Sequence, residues 1–291
     1  MATASHAAIG VLPTGAPLGA EIRGVDLSAD LDTATLEAIR RAWDEHLVLL
    51  FRDQQLNEPL LLAFARHFGE LDPPGPNPYG RTFLPEYPEL NVISNVRDAD
   101  GRPIGNLGDG EAVWHADMTY LDTPPKGAIV YGVEIPSGQG DTYFANMITA
   151  YATLADDLKR RIAGKRAIHD AAHNSAGMLR KGYKEIDDVR QTPGVRHPLV
   201  RTDPATGRQA LFLGRRPHAY IPGLSVQESE EVLDALWKHA GSMRFAWRHQ
   251  WRVGDVLMWQ NLWVLHRRDG FDPDSRRVLL RAQIKGEQPI V

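Results

Sequence analysis

Trp114-His115-Ala116-Asp117 places an imidazole and a carboxylate two positions apart. Residues two apart on an extended strand point to the same face, so His115 and Asp117 would stand side by side. A second histidine brought in from elsewhere, for which His266 is the candidate, would complete two nitrogens and one oxygen on one side of a metal. That is the donor set of non-haem Fe(II) oxygenases, whose opposite face stays open to reactants. Taken alone, His-x-Asp carries little weight in a chain with 11 histidines, because chance matches are expected. A histidine hydrogen-bonded within a strand core is the competing reading of His115.

The elements that must carry these residues are mostly short strands. Residues 47–51 form a continuous apolar run, as in a strand buried on both faces. Strands are also expected near 18–27, 90–94, 128–135, 140–144, 198–202, 209–213, 245–247, 255–259 and 277–284. Asp32 or Thr33 can cap a helix with Leu36, Ile39 and Trp43 on one stripe, ending at His46. Asn57-Glu58-Pro59 opens a second helix, with Leu60, Phe64, His67 and Phe68 on one side. His46 and His67 read as helix residues, not ligands. A third helix is expected from Thr149 to about Ile162, and a capping box at Ser225 and Glu228 opens a fourth to about His239. Residues 1–15 read as a loose terminus. Four prolines make 72–80 a loop that can rim a pocket. Residues 95–112 read as a loop, and 170–196 as a mobile polar segment, a possible lid. No repeat or linker divides the chain, so one domain over 1–291 is expected. Its class is mixed and β-dominated: a double-stranded β-helix (jelly roll) core with flanking helices.

The chain has 291 residues, 43% hydrophobic and 24% charged, ordinary for a globular protein with a large core. A net charge of -4 leaves no basic footprint for nucleic acid or membrane. The absence of cysteine excludes disulfides, iron–sulfur clusters and thiol catalysis. The start lacks the charged segment and apolar run of a signal peptide, and no apolar stretch reaches membrane-spanning length. A cytoplasmic protein is expected. Its expected partners are a small-molecule substrate and other copies of itself in a homo-oligomer.

Residues 277–284 are the second informative stretch. Alternation puts Val278, Leu280, Ala282 and Ile284 on one face, and Arg277, Leu279, Arg281 and Gln283 on the other. The two arginines stand about 13 Å apart along a strand, at ~3.3 Å per residue. They are too far apart to share one carboxylate head-on. They could grip two different anionic groups, each with a planar fork. A solvated strand face is the alternative.

In these motifs the sequence resembles the taurine dioxygenase / 2,4-dichlorophenoxyacetate dioxygenase family of Fe(II)- and 2-oxoglutarate-dependent oxygenases. The likeness runs from Pro13-Thr14-Gly15 and Leu18-Gly19-Ala20-Glu21 to Arg281. It rests on Trp114-His115-Ala116-Asp117 with Tyr120 and Thr123-Pro124-Pro125, and on Gly140-Asp141-Thr142, which ends 27 residues beyond His115. The run from Gly254 to Asn261 precedes His266, and Arg277 and Arg281 follow it by 11 and 15 residues. The resemblance implies that His115, Asp117 and His266 bind iron and that Thr142 and Arg277 hold the distal carboxylate of 2-oxoglutarate. Arg281 would lie near the chelating end of that cosubstrate and could touch an anionic substrate. Trp251 would border the cosubstrate, although a core tryptophan is equally compatible with the sequence. The implied reaction consumes O2, releases succinate and CO2, and hydroxylates an unactivated C–H bond.

Taurine-type members use a histidine and a tyrosine shortly after the segment matching Phe68-Gly69-Glu70-Leu71, and an asparagine four positions before the first ligand. Here Tyr79 is the candidate for the tyrosine, no histidine corresponds, and Glu111 stands where the asparagine would be. A buried Glu111 would repel a sulfonate. The expected substrate is therefore a small organic acid, aryloxyalkanoate-like, contacted by Tyr79, Glu111 and Arg281. His173, Arg180, Lys181, Lys184 and His218 are further candidates near the pocket. Two other classes fit the His/Asp set: a zinc hydrolase, and a cupin-like metal-binding protein without turnover. Thr142 and the Arg277/Arg281 pair argue against both, because neither needs an anchor for a diacid.

Overall fold

The structure, a computed structural model, describes residues 9–291. The expected single domain over 1–291 and the loose terminus thus lie partly outside the described residues. The remainder of that terminus is ordered: Gly10–Pro13 is a strand paired antiparallel with Ala20–Arg23.

Two sheets carry the architecture. The larger has nine strands. Its order is Gly10–Pro13, Ala20–Arg23, Val48–Phe51, Val256–Gln260, Gly127–Glu134, Val278–Ile284, Leu90–Ser94 and Asn106–Leu107, with Leu71–Asp72 also pairing with Val278–Ile284. The smaller has four strands, in the order Ala246–His249, Thr142–Asn146, Val264–Arg268 and Ala112–His115. Pairing is antiparallel within the smaller sheet and through the centre of the larger one.

The period-2 alternation of the central strands decides what lies on each face. Leu49, Phe51, Ile129, Met258, Leu280 and Ile284 pack beneath the helices Thr33–His46 and Glu58–Arg66. Their neighbours Val48, Leu50, Val130, Leu257 and Leu279 point the other way and meet Phe144, Ala145 and Leu265 of the smaller sheet. Both helices start where the sequence says they should: the Asp32 and Asn57 side chains accept from Thr35 N and Leu60 N. Ser225 forms the expected capping box with Glu228, opening the helix Val226–Ala240.

Three local expectations are corrected. The helix expected from Thr149 begins earlier and breaks. Asn146 caps it by accepting from Ile148 N and Thr149 N, giving Met147–Ala152 and then a separate helix Asp156–Ile162. The loop 95–112 contains the strand Asn106–Leu107, parallel to Leu90–Ser94. The segment 170–196 is tied at both ends, because Arg166–Asp170 pairs with Gly194–Pro198, and Asp170, His173 and Asn174 within it are buried.

Candidate metal centre

His115 and His266 are direct cross-strand partners in the smaller sheet, where Ala112–His115 pairs with Val264–Arg268. Their ring centroids lie 4.0 Å apart. Asp117 reaches them by a route that strand alternation does not describe. The strand stops at His115, and the chain turns so sharply that Met118 takes a positive φ of 50°. Asn261, fully buried, holds this turn: its Oδ1 accepts from Asp117 N at 2.7 Å, and its Nδ2 donates to Asp117 O and Pro125 O, each at 2.9 Å. The carboxylate ends 3.6 Å from His115 Nε2 and 3.9 Å from His266 Nε2. The donor atoms of all three side chains lie within 4.8 Å of one another.

The electrostatics suit a cation. His115 Nδ1 donates to Val113 O at 2.7 Å, which leaves the Nε2 lone pair on the side of Asp117. Burial, followed by the neighbouring His115, pushes the His266 imidazole well below its ordinary pKa, so it stays neutral. Burial pushes the Asp117 carboxyl up, but Arg281, His266 and His115 outweigh it and hold the group well below the usual carboxylate range. Arg281 Nη1 donates to both carboxylate oxygens, at 2.9 and 3.0 Å.

Because Asn261 alone satisfies the Asp117 N–H in this turn, Asn261→Ala would strand a buried donor at a cost of about 1–3 kcal/mol. It would also release the carboxylate. Metal affinity should fall roughly ten- to a hundredfold, the usual effect of losing a group that orients a ligand. Titration with Mn(II) would measure the loss, and unchanged affinity would show that the turn holds without Asn261.

A cavity beside the two histidines is lined by Val130, Thr142, Trp251, Trp259, Arg277 and Leu279 among others. Arg277 is only 2% exposed and has no carboxylate partner among the described residues. Its Nη2 donates to Gly140 O at 3.3 Å, and its Nε is buried without a partner. Burial, and then the nearby Arg268, push its pKa well below the ordinary arginine value. Trp251 Nε1 donates to Thr142 Oγ1 at 2.9 Å, so the threonine O–H is left to donate elsewhere. Arg268, which sequence reasoning missed, also lines this cavity and donates to the carbonyls of Leu107, Gly108 and Gly110.

Residues 10–283 match the family described as "Taurine catabolism dioxygenase TauD, TfdA family". The chain belongs to the TauD/TfdA family. It is 35% identical over 293 residues to the (S)-phenoxypropionate/alpha-ketoglutarate-dioxygenase of Sphingobium herbicidovorans, covering 96% of each chain. It is 34% identical over 275 residues to the alpha-ketoglutarate-dependent 2,4-dichlorophenoxyacetate dioxygenase of Burkholderia sp. (strain RASC), covering 92% of this chain and 91% of that one. The crystal structure of a taurine dioxygenase from Burkholderia xenovorans superposes with a TM-score of 0.77 at 32% identity, covering 97% of this chain and 92% of that one. This TauD/TfdA protein is an oxidoreductase of the 2-oxoglutarate-dependent dioxygenase type. No helix among its described residues is long and apolar enough to cross a membrane.

The expected substrate contacts Tyr79 and Glu111 lie elsewhere. Tyr79 is 41% exposed and packs edge-on against Phe83 at 5.8 Å. The Glu111 side chain is largely in solvent, 3.8 Å from Arg267 Nη1. Alternation along Ala112–His115 does not carry back through the loop before it, so Glu111 never turns inward, and the expected repulsion of a sulfonate has no buried charge behind it. The 72–80 loop reaches the cavity beside Asp117 through Gly75, Pro76 and Asn77 instead. Arg180 and His173 line that cavity too, and His218 stacks on His173 at 4.3 Å. Lys181 and Lys184 are exposed.

Proposed function

We propose that His115, Asp117 and His266 hold Fe(II), that Thr142 and Arg277 hold the distal carboxylate of 2-oxoglutarate, and that a small organic anion is the primary substrate. The observation that carries the reading is the pairing of two sites: a two-imidazole, one-carboxylate cluster beside a buried guanidinium that lacks an acid partner. A buried arginine without a counter-ion is costly, and a dicarboxylate cosubstrate would supply the missing charge. A zinc hydrolase or a passive metal-binding protein would have no use for Arg277.

Bound iron would supply O2 activation coupled to decarboxylation of 2-oxoglutarate to succinate and CO2, and hence hydroxylation of a C–H bond. The protein's own part is positional. Asn261 fixes the Asp117 turn, and Val113 fixes the His115 tautomer. Trp251 orients the Thr142 hydroxyl oxygen. Phe144 and Trp259 pack against His266, at 6.0 and 4.9 Å between ring centroids, and shield it from water. Arg281 compensates the carboxylate of Asp117 and holds it in one orientation. An aryloxyalkanoate-like acid is the preferred substrate, supported by what the named relatives act on. The two facing sheets support a double-stranded β-helix as the frame, and the lack of cysteine suits a cytoplasmic setting.

Anaerobic addition of Fe(II) and then 2-oxoglutarate should give a weak visible charge-transfer band. No band, with tight zinc binding, would favour the hydrolase.

A further inference from the structure

The cavity beside Asp117 is lined by three arginines, and two of them are spoken for. Arg281 binds Asp117, and Arg215 Nη2 donates to Asp170 Oδ2 at 2.5 Å. Arg180 has no carboxylate partner among the described residues. Its Nη1 donates to Ala171 O at 2.7 Å, and its Nε is buried without a partner. Asp170 does not neutralise it at close range, because that carboxylate is already bonded to Arg215, His173 and Ala172 N.

Two more unanswered donors line the same cavity. The Tyr120 hydroxyl is buried without a partner, and its ring lies 4.2 Å beneath the Arg180 guanidinium. Burial pushes the phenol pKa up, so the hydroxyl keeps its proton. Gly75 closes over it so tightly that a Cβ there would lie 2.0 Å from the hydroxyl oxygen. Asn174 Nδ2 is also buried and unpartnered. Its orientation is fixed, because Asn174 Oδ1 accepts from Ala176 N and Met178 N. Buried polar groups in native proteins are almost always paired, so three orphan donors on one cavity, one of them cationic, mark the place of a missing acceptor.

We propose that Tyr120, Arg180 and Asn174 form an oxyanion subsite, separate from Arg281, that holds the carboxylate or sulfate-ester group of an otherwise apolar primary substrate. The proposal rests on the dioxygenase reading above for the claim that this ligand is the substrate. It places selection of the anion between Tyr120 and the 171–193 segment, beside the 72–80 loop.

The test is calorimetric titration of the full-length protein, without added metal, with 2,4-dichlorophenoxyacetate, hexyl sulfate and the neutral 2,4-dichlorophenoxyacetamide. Wild type should bind at least one of the anions tenfold or more tightly than the amide, and the stronger of the two identifies the oxyanion. Arg180→Met should weaken that anion about ten- to a hundredfold, the worth of charge-assisted hydrogen bonds, and leave the amide within about twofold. Arg180→Lys should recover part of the loss. Tyr120→Phe, which removes one atom, should cost roughly three- to tenfold, the worth of one hydrogen bond. Equal binding of anions and amide by wild type would overturn the subsite, as would an Arg180→Met variant within twofold of wild type for the anion. So would a loss shared equally by anion and amide with no effect of Tyr120→Phe. The visible band described above tests the dioxygenase reading separately. Its absence alongside an anion loss in Arg180→Met would sink that reading and leave the subsite standing.

Discussion

Asp117→Ala should lose bound iron and all succinate formation, and should also destabilise the protein before any metal is added. The first effect follows from removing the only anionic donor of the cluster. The second follows from what remains. Arg281, whose side chain is 11% exposed, would keep its charge and lose the carboxylate that both Nη1 contacts serve. Breaking a buried ion pair by removing one partner typically costs about 3–5 kcal/mol. In a chain of this size that corresponds to a fall in melting temperature of roughly 6–20 °C, at ~2–4 °C per kcal/mol. Metal analysis, succinate assay and thermal melting of the metal-free variant together check the prediction. Retained turnover would refute the ligand assignment, and an unchanged melting temperature would mean that water already shares the Arg281 charge.

Arg277→Met should behave in the opposite way when metal and cosubstrate are absent. Arg277 bonds to no carboxylate among the described residues, and the repulsion of nearby Arg268 outweighs the attraction of Asp141. Replacing a buried, uncompensated charge with an apolar side chain of similar length should leave the melting temperature unchanged or raise it. The cost appears on binding instead. Affinity for 2-oxoglutarate should fall roughly ten- to a hundredfold, as expected for losing charge-assisted bonds worth about 1.5–3 kcal/mol. Anaerobic titration of the visible band reads that affinity without turnover. A variant that melts lower and binds 2-oxoglutarate normally would make Arg277 a structural residue.

The two variants separate residues that look alike in sequence. Arg277 and Arg281 sit four apart on one strand, and period-2 alternation correctly turned both away from the helix-covered face. Alternation alone did not separate their roles, which only the family resemblance distinguished, because those depend on what the rest of the fold brings to each. Arg281 meets Asp117, and Arg277 meets the carbonyl of Gly140. The local rules worked where the cause is local, as in the caps at Asp32, Asn57 and Ser225 and the buried run Val48–Phe51. They failed at Thr149, where Asn146 offered the backbone a competing cap, and the family position that singled out Glu111 says nothing about the loop that leaves its side chain in solvent. Asp117 is the instructive case. Its pairing with His115 was anticipated from strand geometry, yet a turn delivers it, and the residue that holds the turn, Asn261, lies 144 positions away. No pattern of local spacing reports such a contact.

The 73–80 and 171–193 stretches, which meet where Lys181 N donates to Asn77 O at 3.4 Å, contribute no strand to either large sheet. Diversity at their exposed positions, clear of Ser175, whose carbonyl accepts from Val113 N on the strand that carries His115, would leave the oxidising machinery untouched. A library confined to those exposed positions could therefore be screened for new acids at little risk to folding, with the same scaffold serving each winner.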